Sequence, residues 1–245
     1  MNPVAFTIFG IDVMWYGVLI STGVLIGVLI ALREAKRTGF KEDDLIDFLL
    51  YAIPIGIIGA RAHYVIFSWD YYSQNSSQII NIRNGGLAIH GAVIAGIITG
   101  IVFCKKRKIN VLQLLDLIMP SLILGQAIGR WGNFINQEAH GGPTDLPWGI
   151  IVDGQKVHPT FLYESIINLC VFLFLIWFRK NKKTSHGQIL GLYLILYSAG
   201  RFFVEGLRTD SLMFMGTRVA QLISIASIMI GISLLIYIKR KKKSS

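Results

Sequence analysis

The stretch MWYGVLISTGVLIGVLIAL, residues 14–32, decides the class of fold. It carries no charged side chain, and as a helix it is long enough to cross a bilayer core of about 30 Å. Hydrocarbon offers no partner to a backbone N–H or C=O, so a run of this kind satisfies its own backbone only as a helix. Arg33, Lys36 and Arg37 follow it, and no Lys or Arg precedes it. A cleavable secretory signal has the reverse charge order, so this run is expected to stay as the first span.

Working outward, the same pattern recurs at about 45–67, 87–104, 112–130, 160–178, 188–206 and 217–238. The expectation is an all-α polytopic membrane protein with seven transmembrane helices in a single integral membrane domain over 1–245. Composition agrees: 53% of residues are hydrophobic and 16% charged, where a soluble domain carries about 25% charge. Cys104 and Cys170 lie in or at the end of apolar runs without CxxC spacing. They read as small core residues and not as a disulfide or metal site.

The net charge of +10 is distributed in blocks. Basic clusters follow the first, third, fifth and seventh runs, at 33–41, 105–108, 179–183 and 239–243, and hold 17 of the 24 Lys and Arg. All fall on one side, which the positive-inside rule makes cytoplasmic. The N-terminus is then expected outside and the C-terminus inside. A membrane explains these blocks better than nucleic acid does, and the basic tail fixes topology and meets anionic lipid. The outer connections 68–86 and 131–159 are long, and long loops often carry function.

With this orientation, polar residues inside spans fall at one depth. Tyr16, Arg61, His90, Arg130, Glu164, Arg201 and Glu205 all lie toward the outer ends of their runs, while the cytoplasmic ends show solvated Lys and Arg. Ionisable residues within spans are costly and default to functional candidates. Each also has a plainer reading. Arg61 and Glu164 could snorkel or pair across helices, and Arg201 with Glu205 fits an intrahelical pair. His90 could be a packed histidine, and Tyr16 beside Trp15 an interfacial aromatic. The functional case rests on their convergence. Asp116, Pro54 and Pro120 lie deeper and keep a transporter with broken helices in play.

The densest constellation is GQAIGRWGNFINQEAHGG, 125–142. Gly125 and Gly129 allow close helix approach. Gly129 and Gly132 flank Arg130 and are expected to leave the backbone accessible. Arg130 and Asn133 share a face if the helix continues. A guanidinium matches a pair of phosphate oxygens better than an ammonium does. Asn133 and Asn136 can bond phosphate or glycerol oxygens, and Glu138 can orient an arginine. The set suits an anionic, glycerol-bearing headgroup.

At these residues the chain resembles the prolipoprotein diacylglyceryl transferases. GRWGNFINQEAHG, 129–141, resembles their signature, and Trp15-Tyr16-Gly17 their first-span motif. GGLAIHGAVIAG, 85–96, is similar to the segment that carries the family's essential histidine, at His90 here. His158-Pro159-Thr160 with Leu162-Tyr163-Glu164, and YSAGRFFVEGLR, 197–208, complete the match. The chain departs from the pattern at His140 and in the compact loop 142–157. The resemblance implies a bacterial cytoplasmic-membrane enzyme with its site facing the outer leaflet. Phosphatidylglycerol would donate diacylglyceryl to the lipobox cysteine of a prolipoprotein, forming a thioether and releasing glycerol phosphate. No metal or soluble cofactor and no nucleic acid is implied.

The residues support one division of labour. A free thiol of pKa about 8.5 is mostly protonated at neutral pH, and ionising it is worth about 2 kcal/mol. His90 is assigned as general base or thiol orienter; the alternative is a structural His90, with arginine alone depressing the thiol's pKa. Arg130 and Arg201 are assigned to the negative charge that grows on the leaving phosphate. Glu138 and Glu205 are expected to orient the arginines. Tyr16, Arg61, Asn133, Gly141, Glu164, Tyr197 and Arg208 complete the expected substrate-binding set. A lipid or small-molecule transporter is the competing reading, and a non-catalytic receptor or scaffold a third.

Overall fold

The computed structural model describes residues 2–82 and 85–243, so positions 83 and 84 of the loop expected at 68–86 lie outside the described residues. Strands β1 (Val4–Ile8) and β2 (Ile11–Met14) form an antiparallel hairpin that runs directly into helix α1 (Trp15–Thr38). Helix α2 (Glu42–Phe67) and the short turn α3 (Trp69–Tyr72) follow, then α4 (Ile89–Arg107) and α5 (Val111–Ile135). A second hairpin, β3 (Ile150–Val152) with β4 (Gln155–Val157), precedes α6 (Thr160–Asn181) and α7 (Gln188–Glu205). A third, β5 (Met213–Phe214) with β6 (Thr217–Arg218), leads straight into α8 (Val219–Lys243).

Among the described residues, six helices are long and apolar enough to cross a membrane: α1, α2, α4, α5, α6 and α8. The expected run 188–206 is the helix α7, but it is not one of the six. Its 18 residues include Gln188, Arg201 and Glu205, and these hold its apolar content down. The helices also outrun the expected boundaries. α5 continues to Ile135, so Arg130 and Asn133 do share a face, and the start of the loop expected at 131–159 is helical. The three hairpins were not expected. Each turns on a residue followed by glycine with both φ positive: Phe9-Gly10, Asp153-Gly154 and Met215-Gly216. That backbone matches the twist of two paired strands.

Large apolar side chains are exposed along the long helices, among them Leu25, Ile66, Ile98 and Ile230. In lipid such faces carry no penalty, and helix association relies on close packing and polar contacts instead. The chain divides into two compact units, Met1–Glu34 with Leu115–Ser245, and Ala35–Leu114.

In the larger unit the core is Met119 and Ile123 of α5, Val171 and Leu175 of α6, and Ile189 and Tyr193 of α7. α1 approaches α5 at Gly23 and Gly125, and the Ser121 hydroxyl donates to the Gly27 carbonyl at 2.7 Å. At one end of these helices sits a buried polar layer. Asp116, fully buried, accepts from the backbone N–H of Gly187 at 2.8 Å and of Leu190 at 3.0 Å, and pairs with Lys183 at 2.9 Å. Arg179 and Glu34, both buried, pair at 3.1 Å. The basic ends are therefore not only solvated, as expected from sequence: Arg179 and Lys183 are needed against buried carboxylates. Asp116 is accounted for as a structural acceptor at the start of α7. Cys104 is buried as expected, but Cys170 is exposed on α6 and is not a core residue.

In the smaller unit α2 and α4 touch backbone to backbone. A Cβ at Gly91 would collide with the Gly59 carbonyl, and one at Gly59 with Ala95. Farther along, Phe48 meets Phe103 edge-on with centroids 5.7 Å apart, and Arg107 pairs with Asp44 and Asp47.

Candidate functional site

At the other end of the larger unit, three elements deliver arginines to one carboxylate. Glu164 stands in the second turn of α6 and is 4% exposed. Arg130 of α5 reaches its Oε2 through Nη2 at 2.6 Å. Arg201 of α7 reaches its Oε1 through Nη1 at 2.6 Å. Arg208, just beyond α7, approaches Oε1 with Nη1 at 3.9 Å. Arg201 turns its other edge to Glu205, one helical turn on, at 2.6 Å. Glu205 is also buried, and Arg208 lies 3.9 Å from it. The arginine side chains keep between 12% and 20% of their surface exposed while the two glutamates are nearly sealed. Two buried carboxylates thus hold three guanidiniums together that would otherwise repel, with part of each arginine side chain left accessible.

Packing explains how these side chains stay in place. Trp131 donates through Nε1 to the Ser165 hydroxyl at 3.1 Å, and that hydroxyl donates to the Ala127 carbonyl at 2.9 Å. The turns carrying Arg130 and Glu164 are therefore tied side by side. Asn133 lies next to Arg130 at 3.5 Å, and its amide donates to Glu138 at 2.8 Å. Glu138 accordingly orients Asn133, and the arginines are oriented by Glu164 and Glu205. The sequence reading assigned Glu138 to the arginines and did not single out Glu164 as their hub.

The glycines of the signature have a packing role. A Cβ on Gly132 would strike the ring of Tyr16, and one on Gly129 would crowd Ile20. They let α1 lie against α5, so the backbone beside Arg130 is covered by α1 and not left accessible as expected. Tyr16 is 39% exposed, with Arg130 and Glu138 in electrostatic reach. Gly141 bridges to Arg208 as an isolated β-pair. Its N–H donates to the His158 carbonyl at 2.9 Å, and the Gly142 N–H donates to Leu207 at 3.0 Å. A Cβ at Gly141 would meet His158 at 2.7 Å and the Leu207 oxygen at 3.0 Å. Only glycine lets this loop sit on the segment that carries Arg208. Tyr197 stacks on Tyr193 with centroids 5.5 Å apart, and Gln126 donates to the Tyr193 hydroxyl at 3.1 Å.

Asp210 and Arg218 escaped the sequence reading. Asp210 accepts from Arg208 twice, Nε at 2.9 Å and Nη2 at 2.6 Å. That hydrogen-bonded pairing holds the Asp210 carboxyl below its ordinary range. Arg218 donates to the carbonyls of Glu205 at 2.6 Å and Arg208 at 3.1 Å. Among the described residues no three His, Cys, Asp or Glu side chains come together as a metal set.

The smaller unit holds the other two candidates. Arg61 is buried and donates four times to loop carbonyls: Nε to Ile79 at 2.8 Å, Nη2 to Gln78 at 2.6 Å, and Nη1 to Gly85 and Gly86 at 2.9 Å each. The ring of Tyr72 lies 5.1 Å from its guanidinium carbon. His90, the second residue of α4, is exposed, and its ring centroid lies 6.1 Å from that of His63, which stacks on Phe67.

A family model for prolipoprotein diacylglyceryl transferase matches residues 3–237. The chain belongs to this family. A relative from Clostridioides difficile (strain 630) is 56% identical over 245 residues, covering all of this chain and 98% of the relative. One from Finegoldia magna is 56% identical over 243 residues, 99% of this chain and 97% of the relative. One from Bacillus mycoides is 51% identical over 253 residues, 98% and 93%. All three carry the name phosphatidylglycerol–prolipoprotein diacylglyceryl transferase. The family match takes in both the arginine cluster and the His90 segment.

Proposed function

We propose that this chain transfers the diacylglyceryl group of phosphatidylglycerol to the lipobox cysteine of prolipoproteins. The observation that carries the reading is the gathering of Arg130, Arg201 and Arg208 around Glu164 by separate elements. The substrate phosphodiester carries one negative charge, and the departing glycerol phosphate carries two. Donors already arranged for the second charge lower the barrier, because they bind the transition state more tightly than the ground state. Membership of the family and the names of its members support the choice of substrates.

In the proposed reaction the cysteine sulfur attacks the glycerol carbon bonded to the phosphate oxygen. A C–S bond forms, the C–O bond breaks, and its electron pair leaves on the phosphate. His90 takes the thiol proton. Arg130 and Arg201 hold the phosphate charge, with Arg208 beside them. Asn133, positioned by Glu138, bonds headgroup oxygens with Tyr16 and Tyr197, and Gly141 admits the loop that lines the headgroup. Arg61 acts on substrate indirectly, by fixing the loop it binds.

The proposed topology has seven spans, the N-terminus outside and the C-terminus cytoplasmic, in the bacterial cytoplasmic membrane with the site toward the outer leaflet. α7 serves as the seventh span although its polar content is high. Its arginine and glutamate pair within protein, which removes most of the cost of immersing them. The positive blocks at the ends of the odd-numbered runs support the orientation.

The test is incubation of the purified protein with labelled phosphatidylglycerol and a lipobox peptide. The expected products are thioether-linked lipopeptide and free glycerol phosphate, absent when the cysteine is replaced by serine. Phosphatidylglycerol that stays intact, or crosses the membrane unaltered, overturns the reading and favours a transporter.

A further inference from the structure

We propose that Asp210 and Arg218 are positioning residues that aim Arg208 at the substrate headgroup. This rests on the proposed function, and it adds two residues from outside the family-matched motifs described above. Arg208 lies past the end of α7, where no helix fixes its side chain. A free arginine side chain loses about 2 kcal/mol of rotamer freedom when it is ordered, so an aimed Arg208 needs something to order it beforehand.

Asp210 supplies that order on one side. It takes Nε and Nη2 as a two-pronged fork, the planar geometry that arginine and carboxylate share. Nη1 is left facing Glu164 at 3.9 Å, beyond hydrogen-bond length, with donors to spare for a phosphate oxygen. The Asp210 side chain is 50% exposed while Arg208 is 12% exposed, so the carboxylate grips from the water side and the guanidinium points inward.

Arg218 supplies order on the other side, through the backbone. It ends β6 and donates to the carbonyls of Glu205 and Arg208. The last carbonyls of a helix have no partner within it. A cation there caps them and favours the helix dipole. Arg218 thereby fixes the turn from which both Glu205 and Arg208 project. The Gly141 and Gly142 loop holds the same segment through a bridge to Arg208 and a hydrogen bond to the Leu207 carbonyl.

The test uses full-length protein in mixed micelles with phosphatidylglycerol and a lipobox peptide. D210N is expected to lower kcat/KM for lipid roughly tenfold, in line with the cost of losing a group that orients an active one. D210E, which keeps the fork, restores at least half of the loss. The decisive readout is the cycle of R208Q, D210N and the double variant. If Asp210 acts through Arg208, the double variant is no slower than R208Q alone. Losses that multiply overturn the proposal, as do D210N and R218Q values within twofold of the parent. R218K keeps the charge without the fork, and is expected to fall between parent and R218Q. The same series is read as the rise in unfolding temperature on adding phosphatidylglycerol, which needs no turnover. An inactive parent that still shows this rise in an Asp210-dependent way sinks the transferase reading and spares the clamp; a rise unaltered in D210N and R218Q sinks the clamp.

Discussion

Arg61 and the trio Arg130, Arg201 and Arg208 are all arginines at the edges of apolar helices, yet they are used in opposite ways. Arg61 gives four hydrogen bonds to backbone carbonyls, which are neutral, and its guanidinium is consumed in holding Gln78, Ile79, Gly85 and Gly86. The trio is held by carboxylates, which take one side of Arg130 and Arg208 and both Nη groups of Arg201 while leaving each side chain partly exposed. Carbonyls spread over a loop are satisfied by geometry alone. Carboxylates bring three cations together in one place and keep them there. On the proposed function, an arginine's partner, more than its depth or its burial, tells whether it is a strut or a tool.

That contrast breaks most easily at Glu164. Glu164→Gln removes the hub's charge while preserving its shape, so Arg130 loses its carboxylate and Arg201 keeps only Glu205. Removing one partner of a buried pair costs about 3–5 kcal/mol, and the partly wet arginine edges put the expected loss of stability at the low end. Turnover is expected to fall at least a hundredfold. A variant that folds and works normally would show that the carboxylate does not organise the arginines. Next in size is Arg201→Lys, which keeps the charge but cannot bridge Glu164 and Glu205 with two edges. Loss of a preorganised donor costs roughly a hundredfold in kcat, and kcat at saturating lipid is the measurement.

Arg61→Lys sharpens the other arm. An ammonium cannot span four carbonyls, so part-buried acceptors lose their donor, and a hydrogen bond of this kind contributes about 0.5–1.5 kcal/mol net. The expectation is a lower unfolding temperature and faster proteolysis next to Gln78 and Ile79, with kcat at saturating lipid falling far less than in Arg201→Lys. A large loss of kcat with no loss of stability would move Arg61 among the tools. The smallest effect concerns Asp210. Its pKa is depressed in the folded chain by the Arg208 hydrogen bond, so its stabilising contribution is present above the unfolded carboxyl's value. That contribution is lost as the pH falls through the lower folded one. Parent and D210N unfolding temperatures should therefore differ slightly at neutral and mildly acidic pH and converge in strong acid.

Much of this was legible in the sequence because a bilayer leaves the backbone few options. The long apolar runs became helices, and Arg130, Arg201 and Glu205 fell together as their spacing and order implied. What stayed hidden depended on partner choice. Arg179 and Lys183 read as members of a solvated basic block, since the sign of a block reports topology and not burial; each in fact meets a buried carboxylate. The paired strands were too short for an alternating pattern to stand out, although Gly10, Gly154 and Gly216 marked the turns. Asp210 lies between runs, in a segment that reads as a connection, and Arg218 stands at the very start of the run expected at 217–238; their contacts appear only once the end of α7 is seen folded against them. Cys170 shows the reverse error, a small residue assumed to face protein that faces outward.

The burial of Asp116 beneath the first turn of α7 has one more consequence. Its carboxylate grips the Gly187 and Leu190 amides at one terminus of that helix, while the Arg218 guanidinium grips carbonyls at the opposite terminus. A rod fastened at top and bottom can neither slide lengthwise nor rotate freely. Arg201 projects from a helix held at both ends, so in the proposed reaction the lipid headgroup has to come to the guanidinium and not the reverse.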